Sequence, residues 1–360
     1  MRCTKIKADL LYVTHRYYPN TGGVEKHVYE LSKRIADKVD VAVVTADLKP
    51  KLSEFEEVDG VKVYRFSSLS PRNAYYFCPQ IYQAVKRSDC NVIHAHNYHA
   101  FPAYMAFKAK NKVPFVFTPH YHGKGSNFVR NVLFKIYDLI ARSAIEKADM
   151  LICVSELERR ALVENYDVDP VVIPNGVDLD FISRVNADCK MKDYVLYVGR
   201  LEKYKNVQVL IETAKIGGFK LVIAGTGNYE KRLQEIVRKE KLLDKVTFLG
   251  YVDEAEKIRL MKCCRAFVNL SSVEAFGITA LEALACGKPV IVNKNSGLRE
   301  LLKFKNVHGI NPTAEELVDV LNRINSKTDP KTCTSEQLLE YDWKTIAKKH
   351  LKLYRELGGI

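Results

Sequence analysis

The sequence predicts an α/β chain folded as two doubly wound halves, each a parallel sheet covered by helices. Three observations predict it. Short β-branched runs alternate with longer stretches of helical apolar spacing along nearly the whole chain. The alternation restarts after a polar stretch near the middle of 360 residues, a length that accommodates two domains. Glycines and polar residues gather just after the strands, at the carboxyl edges where open α/β sheets bind ligands.

In the first half, Ala8–Val13 reads as the opening strand. A helix follows from Val24, with Val28, Leu31 and Ile35 at helical spacing. Further strands read at Val39–Thr45, Val61–Phe66, Val92–Ala95, Pro114–Thr118, Met150–Val154 and Val171–Ile173. Between two of them, Ser126–Lys147 is one long helix. Val129, Val132, Leu133, Ile136, Leu139 and Ile140 give it an apolar side; Arg130, Lys135, Arg142 and Lys147 give it positive charge. Such a helix packs on the sheet; a basic face lying on an anionic membrane is the alternative. In the second half, strands read at Val195–Val198, Leu221–Ala224, Val246–Leu249, Ala266–Leu270 and Pro289–Val292. A last amphipathic helix spans Trp343–Leu357, with Ile346, Ala347, Leu351 and Tyr354 on one side.

Composition narrows the function classes. Forty-seven per cent hydrophobic and 28% charged residues describe an ordinary globular chain. No apolar run approaches the roughly 20 residues of a membrane span. Ala8–Val13 is too short and wrongly flanked for a signal peptide. The net charge of +13 favours anionic partners. No zinc-finger, RNP-like or helix-turn-helix pattern accompanies it, so nucleic acid is not an expected partner. Nine cysteines without a C-x-x-C pair fit a reduced, cytoplasmic chain. Adjacent Cys263 and Cys264 do not pair with each other, and Cys153 and Cys286 read as small core residues. His94, His96, His99, His120 and His122 raise the question of metal. His94 and His96 alternate along a strand with no cysteine or carboxylate at ligand spacing, so no metal is expected.

Chemistry concentrates in Glu274–Glu282. Glu274 stands on the loop after a strand; Glu282 lies about a turn and a half into the next helix and can point back to the same crevice. The N–H groups of Gly277, Ile278 and Thr279 fall at that helix's N-terminus, an anion site. Arg200 and Lys205 share the loop after Val195–Val198. Arginine contacts phosphate through several donors and lysine as a point charge. Asp167-x-Asp169 and Asp178-x-Asp180 have the spacing of a metal–diphosphate motif but read as turn and cap residues. Gly22–Gly23 at a strand-to-helix turn lets backbone approach a ligand.

Five motifs in one order resemble the retaining family 4 glycosyltransferases, which have the GT-B fold. They are Gly22–Gly23 within Gly22–Leu31, Thr118-x-His120, Pro174–Asp178, Arg200 with Lys205, and Glu274 with Glu282. The resemblance covers nearly the whole chain. It implies two Rossmann-like domains facing across a cleft, with the C-terminal helix crossing back to the first. The domains are then residues 1–185 with about 343–360 on the acceptor side, and 186–342 on the nucleotide-sugar side, joined by a linker near 178–191. It implies a hexosyltransferase that moves sugar, with retention and without metal or other cofactor, from a nucleotide sugar such as a UDP- or GDP-hexose to a glycan, lipid or lipid-linked hydroxyl. It places Glu274 and His120 beside the donor sugar, Glu282 on the ribose, and Arg200 and Lys205 on the diphosphate. Gly22 and Gly23 lie against the diphosphate and acceptor; Gly225, Gly227, Tyr251 and Val252 line the ribose and base; Phe276, Gly277, Ile278 and Thr279 complete the donor site. Asn206 stands where the family usually has glycine, which puts the turn after Lys205 in question. A location on the inner face of the membrane is compatible with the basic charge. A nucleotide-sugar epimerase of similar fold and a non-catalytic nucleotide-sugar binder are the competing readings.

Overall fold

A computed structural model of the chain describes residues 5–47, 54–70, 75–121, 128–189, 191–324, 335–358 and 360. The chain divides into two compact units. The N-terminal unit is Met1–Asn175 with Trp343–Ile360; the C-terminal unit is Gly176–Asp342.

The N-terminal unit follows β1 (Leu10–Thr14), α1 (Gly23–Ile35), β2 (Val41–Asp47), β3 (Phe55–Val58), β4 (Val61–Ser67), α2 (Pro79–Lys86), β5 (Val92–His96), α3 (Phe101–Ala109), β6 (Phe115–Thr118), α4 (Phe128–Glu146), β7 (Met150–Cys153), α5 (Glu156–Asn165) and β8 (Val171–Val172). Its strands run in the order β3-β4-β2-β1-β5-β6-β7-β8. Every pairing is parallel except β3 with β4. β3 has an exposed, Glu-rich face, so no apolar alternation announced it. β1 sits centrally, with Leu10 opposite both Val41 and Val92. Its residues are buried on both faces, as a covered parallel strand requires. The chain leaves β1 toward β2 on one side and β5 lies on the other, so the strand order reverses beside β1 and the Gly22–Gly23 turn follows it.

The expected long helix forms as α4. Of the six apolar residues assigned to its buried side, the two whose side chains are described, Leu139 and Ile140, are 82% and 45% exposed, while Tyr137, Ala141, Ala144 and Ile145 are buried. The side chains of residues 128–136, including Val129, Arg130, Val132, Leu133, Lys135 and Ile136, lie outside the described residues, as does His122.

The C-terminal unit follows α6 (Leu179–Arg184), β9 (Tyr194–Val198), α7 (Val207–Gly217), β10 (Lys220–Ala224), α8 (Glu230–Lys239), β11 (Val246–Gly250), α9 (Glu254–Cys263), β12 (Ala266–Asn269), α10 (Ile278–Ala285), β13 (Val290–Asn293), β14 (Val307–Ile310), α11 (Ala314–Arg323) and α12 (Ser335–Leu339). Its six parallel strands run β11-β10-β9-β12-β13-β14. Strand order reverses between β9 and β12.

Two expectations change here. The segment around 178–191, expected as a linker, carries a short helix, α6. Asp178 accepts from the Phe181 N–H at 2.9 Å and caps α6, and Ile182 buries its side chain. The chain also contains a disulfide. Cys189 and Cys263 are joined with their Cα atoms 5.4 Å apart and stand 74 positions apart in sequence, a separation no motif spacing signals. Cys78, Cys90, Cys153, Cys264 and Cys286 are free.

The last helix, α13 (Trp343–Glu356), belongs to the N-terminal unit and packs against α1. Trp343, Ile346, Ala347, Leu351 and Tyr354 are buried, as their spacing predicts, and His350 lies on the same side. No helix among the described residues is long and apolar enough to cross a membrane.

Candidate active site

Parallel strands end on one edge of a sheet, so the loops after β9, β10, β11 and β12 emerge together in the C-terminal unit. The loops after β9 and β12 flank the reversal of strand order, where a crevice opens in doubly wound sheets. Those loops carry Arg200 with Lys205, and Glu274, respectively. Lys205 Nζ donates to Glu274 Oε2 at 2.5 Å, across 69 positions of sequence. Both side chains are mostly shielded, at 14% and 22% exposure. Arg200 is exposed and has no ion-pair partner among the described residues.

Asn206 holds the two loops in register. It adopts the left-handed conformation (φ 56°, ψ 30°), which asparagine tolerates better than most residues. Asparagine thus makes the turn for which glycine is usual. Its side-chain amide donates to Leu270 O and Ser272 Oγ, each at 2.8 Å, and the Ser272 N–H donates to Tyr204 O at 2.9 Å. Asn206→Gly is therefore expected to keep the turn but lose about 1–3 kcal/mol of stability through two hydrogen bonds. Asn206→Ala adds a left-handed penalty of about 1–2 kcal/mol. Urea unfolding of the two variants separates backbone from side chain; equal stability of Asn206→Gly and the parent would show the bonds to be without effect.

On the other flank, Gly297 pins the Glu274 loop. Its N–H donates to Glu274 O at 3.1 Å, and a Cβ there would meet that oxygen at 2.2 Å. Gly277 ends the loop in the left-handed region (φ 88°) and precedes α10; a Cβ would meet Leu298 Cδ2 at 2.2 Å. α10 then presents its first turn, Ile278 and half-buried Thr279, at the strand edge. The Phe276 side chain is buried and stacks on Tyr341 with ring centroids 6.1 Å apart, so it serves packing and does not line an open surface.

Glu282 lies one turn into α10 and is only 3% exposed. Its Oε2 is 2.8 Å from the Nζ of Lys257, which is itself buried. Lys257 also donates to both carboxylate oxygens of Glu254, at 2.8 and 3.0 Å. Lys257 is a residue that motif reasoning missed. One signal was present: it stands four residues before Met261 and seven before Cys264, on the buried stripe of α9, where an unpaired lysine is rare.

Gly225 and Gly227 follow β10. A Cβ on Gly225 (φ 131°) would meet Gly199 O at 2.0 Å, and one on Gly227 would meet Leu201 O at 2.3 Å. These glycines let the β9 and β10 loops touch, and Gly199 and Leu201 donate to Ala224 O and Thr226 O at 3.0 and 2.9 Å. Tyr251, after β11, is 66% exposed, and Val252 beside it is half-buried.

The remaining predicted residues belong to the N-terminal unit. Gly22 is extended, and Gly23 begins α1 with open space where a Cβ would sit. His120 is buried in the left-handed region (φ 50°). Its Nε2 lies 3.4 Å from His96 Nδ1, and its ring packs against His96 and His27 with centroids 5.7 and 5.2 Å away. Burial lowers His27 to about 3 and His350 to about 4, and holds His94 and His96 well below the ordinary histidine range. His94 is fully engaged, with Nδ1 2.6 Å from Tyr354 Oη and Nε2 2.8 Å from Thr118 Oγ1. His27 Nε2 and His96 Nε2 have no hydrogen-bond partner among the described residues.

Comparison with known proteins places this arrangement. The model for glycosyl transferases group 1 matches residues 179–336, and that for glycosyltransferase family 4 matches residues 21–181. An uncharacterized glycosyltransferase of Methanocaldococcus jannaschii is 27% identical over 95% of this chain and 97% of its own. The phosphatidyl-myo-inositol mannosyltransferase of Mycobacterium leprae is 27% identical over 94% of each chain. Among solved structures, sucrose-phosphate synthase from Thermosynechococcus elongatus superposes with a TM-score of 0.79 at 20% identity, covering 98% of this chain and 99% of its own. Anabaena HepE, solved with UDP-glucose, superposes with a TM-score of 0.77 at 19% identity, covering 97% and 100%. Two matching family models that together run from residue 21 to residue 336, two parallel α/β units, and glutamates and cations on the loops beside a reversal of strand order agree: the chain belongs to the family 4 glycosyltransferases and has their GT-B fold.

Proposed function

We propose that the chain transfers a hexose from a nucleoside diphosphate sugar to a hydroxyl acceptor, with retention of anomeric configuration and without a metal on the donor diphosphate. The observation that carries this reading is the Lys205–Glu274 pair beside exposed Arg200, at the reversal of strand order. The bond from the anomeric carbon to the diphosphate breaks, so charge grows on the departing phosphate oxygen. Arg200, Lys205 and the first turn of α10 oppose that charge. Glu274 accepts from donor-sugar hydroxyls. Glu282, held by Lys257, accepts from the ribose hydroxyls, as an ionised carboxylate can from several donors. The acceptor oxygen attacks on the face the diphosphate leaves, and its proton passes to the leaving phosphate oxygen. Gly225, Gly227, Tyr251 and Val252 border the nucleoside; Gly22, Gly23 and His120 serve the donor and acceptor from the N-terminal unit.

HepE is solved with UDP and UDP-glucose, which supports a uridine donor as the first candidate. Relatives named as phosphatidylinositol glycosyltransferases support a lipid-linked hydroxyl as the first acceptor class. A thermal-shift screen of nucleotide sugars is the direct test, because a ligand that binds only the native state raises the melting temperature. One class of donor is expected to raise it by several degrees at concentrations well above its Kd. Turnover of that donor with lipid and soluble acceptors is expected to be unchanged by added Mg²⁺ or Mn²⁺. No shift with any nucleotide sugar, or turnover that requires the added ion, would overturn the reading. Formation of an epimer from the donor alone would favour an epimerase instead.

A further inference from the structure

The geometry points to a metal site in the N-terminal unit, with His27, His96 and His120 binding one divalent transition-metal ion. One ligand nitrogen from each lies within 4.8 Å of the others, and all three residues are buried. The donor reading gives His120 a place beside the donor sugar but assigns no role to His27 or His96.

Three features go beyond mere proximity. First, the three ring centroids are 5.2, 5.3 and 5.7 Å apart. Imidazoles bound tetrahedrally at about 2.0–2.1 Å place their centroids roughly 5 Å apart, so the rings already stand at ligating separation. The 3.4 Å between His96 Nδ1 and His120 Nε2 likewise matches the edge of such a tetrahedron. Second, His27 is oriented as a ligand. Its Nδ1 lies 2.5 Å from Asn175 Oδ1. An amide oxygen only accepts, so Nδ1 carries the proton and Nε2 keeps its lone pair. That is the outer-shell arrangement that aims a metal-binding histidine. Third, His27 Nε2 is buried with no hydrogen-bond partner among the described residues, which native structures rarely leave unexplained.

The donor set selects the ion. Three imidazoles suit zinc, cobalt, nickel or copper; magnesium and calcium need oxygen. Three protein ligands leave a fourth position for water. The bound ion would tie α1, β5 and the turn after β6 to one point, with Asn175 holding His27 from the end of the unit's main segment. The cluster draws residues from three distant parts of the sequence, so the spacing of His94 and His96 alone does not reveal it.

The test uses the full chain, stripped with chelator, reloaded with Zn²⁺ or Co²⁺ and desalted. Elemental analysis is expected to find about one zinc per chain. Cobalt is expected to give the intense visible absorption of a four-coordinate site, and zinc to raise the melting temperature by several degrees. His27→Gln and His96→Gln are expected to lose the bound ion, and Asn175→Ala to weaken it about 10–100-fold. Circular dichroism establishes that each variant is folded. Zinc well below stoichiometry in the parent, six-coordinate cobalt spectra, or stoichiometric zinc retained by folded His27→Gln/His96→Gln protein would overturn the proposal. In the first case the cluster holds water only; in the last the metal sits elsewhere. Metal content and cobalt spectrum do not depend on donor turnover, so failure here and failure of the transfer reading are distinguishable.

Discussion

Replacing Lys205 with alanine is expected to lower kcat by about 10²–10³-fold, the usual effect of removing one preorganised group that meets transition-state charge. The fold is expected to survive, because Lys205 lies on a loop and keeps 14% of its side chain exposed. The structure adds a second consequence. Lys205 and Glu274 neutralise each other across two loops, so truncating the lysine also leaves a shielded carboxylate without its cation. Glu274 would then repel the donor diphosphate, and donor affinity should fall with turnover. Lys205→Arg keeps the charge but replaces a compact ammonium with a planar fork, so it should recover only part of the rate. Steady-state kinetics with the donor identified by thermal shift provide the measurement. A Lys205→Ala rate within a few-fold of the parent would remove the lysine from the reaction.

Lys257→Met is expected to destabilise the C-terminal unit by about 3–5 kcal/mol, the cost of removing one member of a buried ion pair. Lys257 is 6% exposed and Glu282 3%, and Glu282 Oε2 meets the Lys257 ammonium at 2.8 Å. Methionine fills similar volume, so lost packing contributes little. The matching double variant Lys257→Met/Glu282→Leu removes both charges and is expected to recover most of the stability, since apolar replacement of a buried pair is often neutral or better. It should nevertheless remain inactive if Glu282 holds the ribose. Urea unfolding gives both stabilities. If Lys257→Met unfolds at the parent's midpoint, another group holds Glu282. In the proposed transfer this pair keeps Glu282 ionised for the ribose hydroxyls, its charge balanced by a lysine on the neighbouring helix.

Much of the architecture was legible in the residues. β-branched runs such as Val195–Val198 and Leu221–Ala224 become strands because burial on both faces of a parallel sheet demands continuous apolar character. The α13 stripe holds because a long helix averages its 3.6-residue period over several turns. The pattern failed where its signal was weak. β3 is a short edge strand, exposed or half-buried throughout, and β14 offers only four residues interrupted by His308 and Gly309. The site shows the same division. Arg200, Lys205, Glu274 and Glu282 were singled out through the resemblance to family motifs, each on or just after a strand-end loop. Lys257 was not, because a lysine three residues after Glu254 reads equally well as an ordinary surface pair.

By itself, the order of residues determined two parallel α/β units, the loops that reach each sheet's carboxyl edge, and the charged groups those loops carry. Tertiary structure alone decided which charges meet: Lys205 with Glu274, Lys257 with Glu282, Cys189 with Cys263, and three histidines from separate segments in one buried cluster. The physical reason is that periodicity reports which face of an element is buried, a local property. Partnership between side chains dozens of positions apart depends on strand order and loop path, which arise only when the whole sheet is assembled.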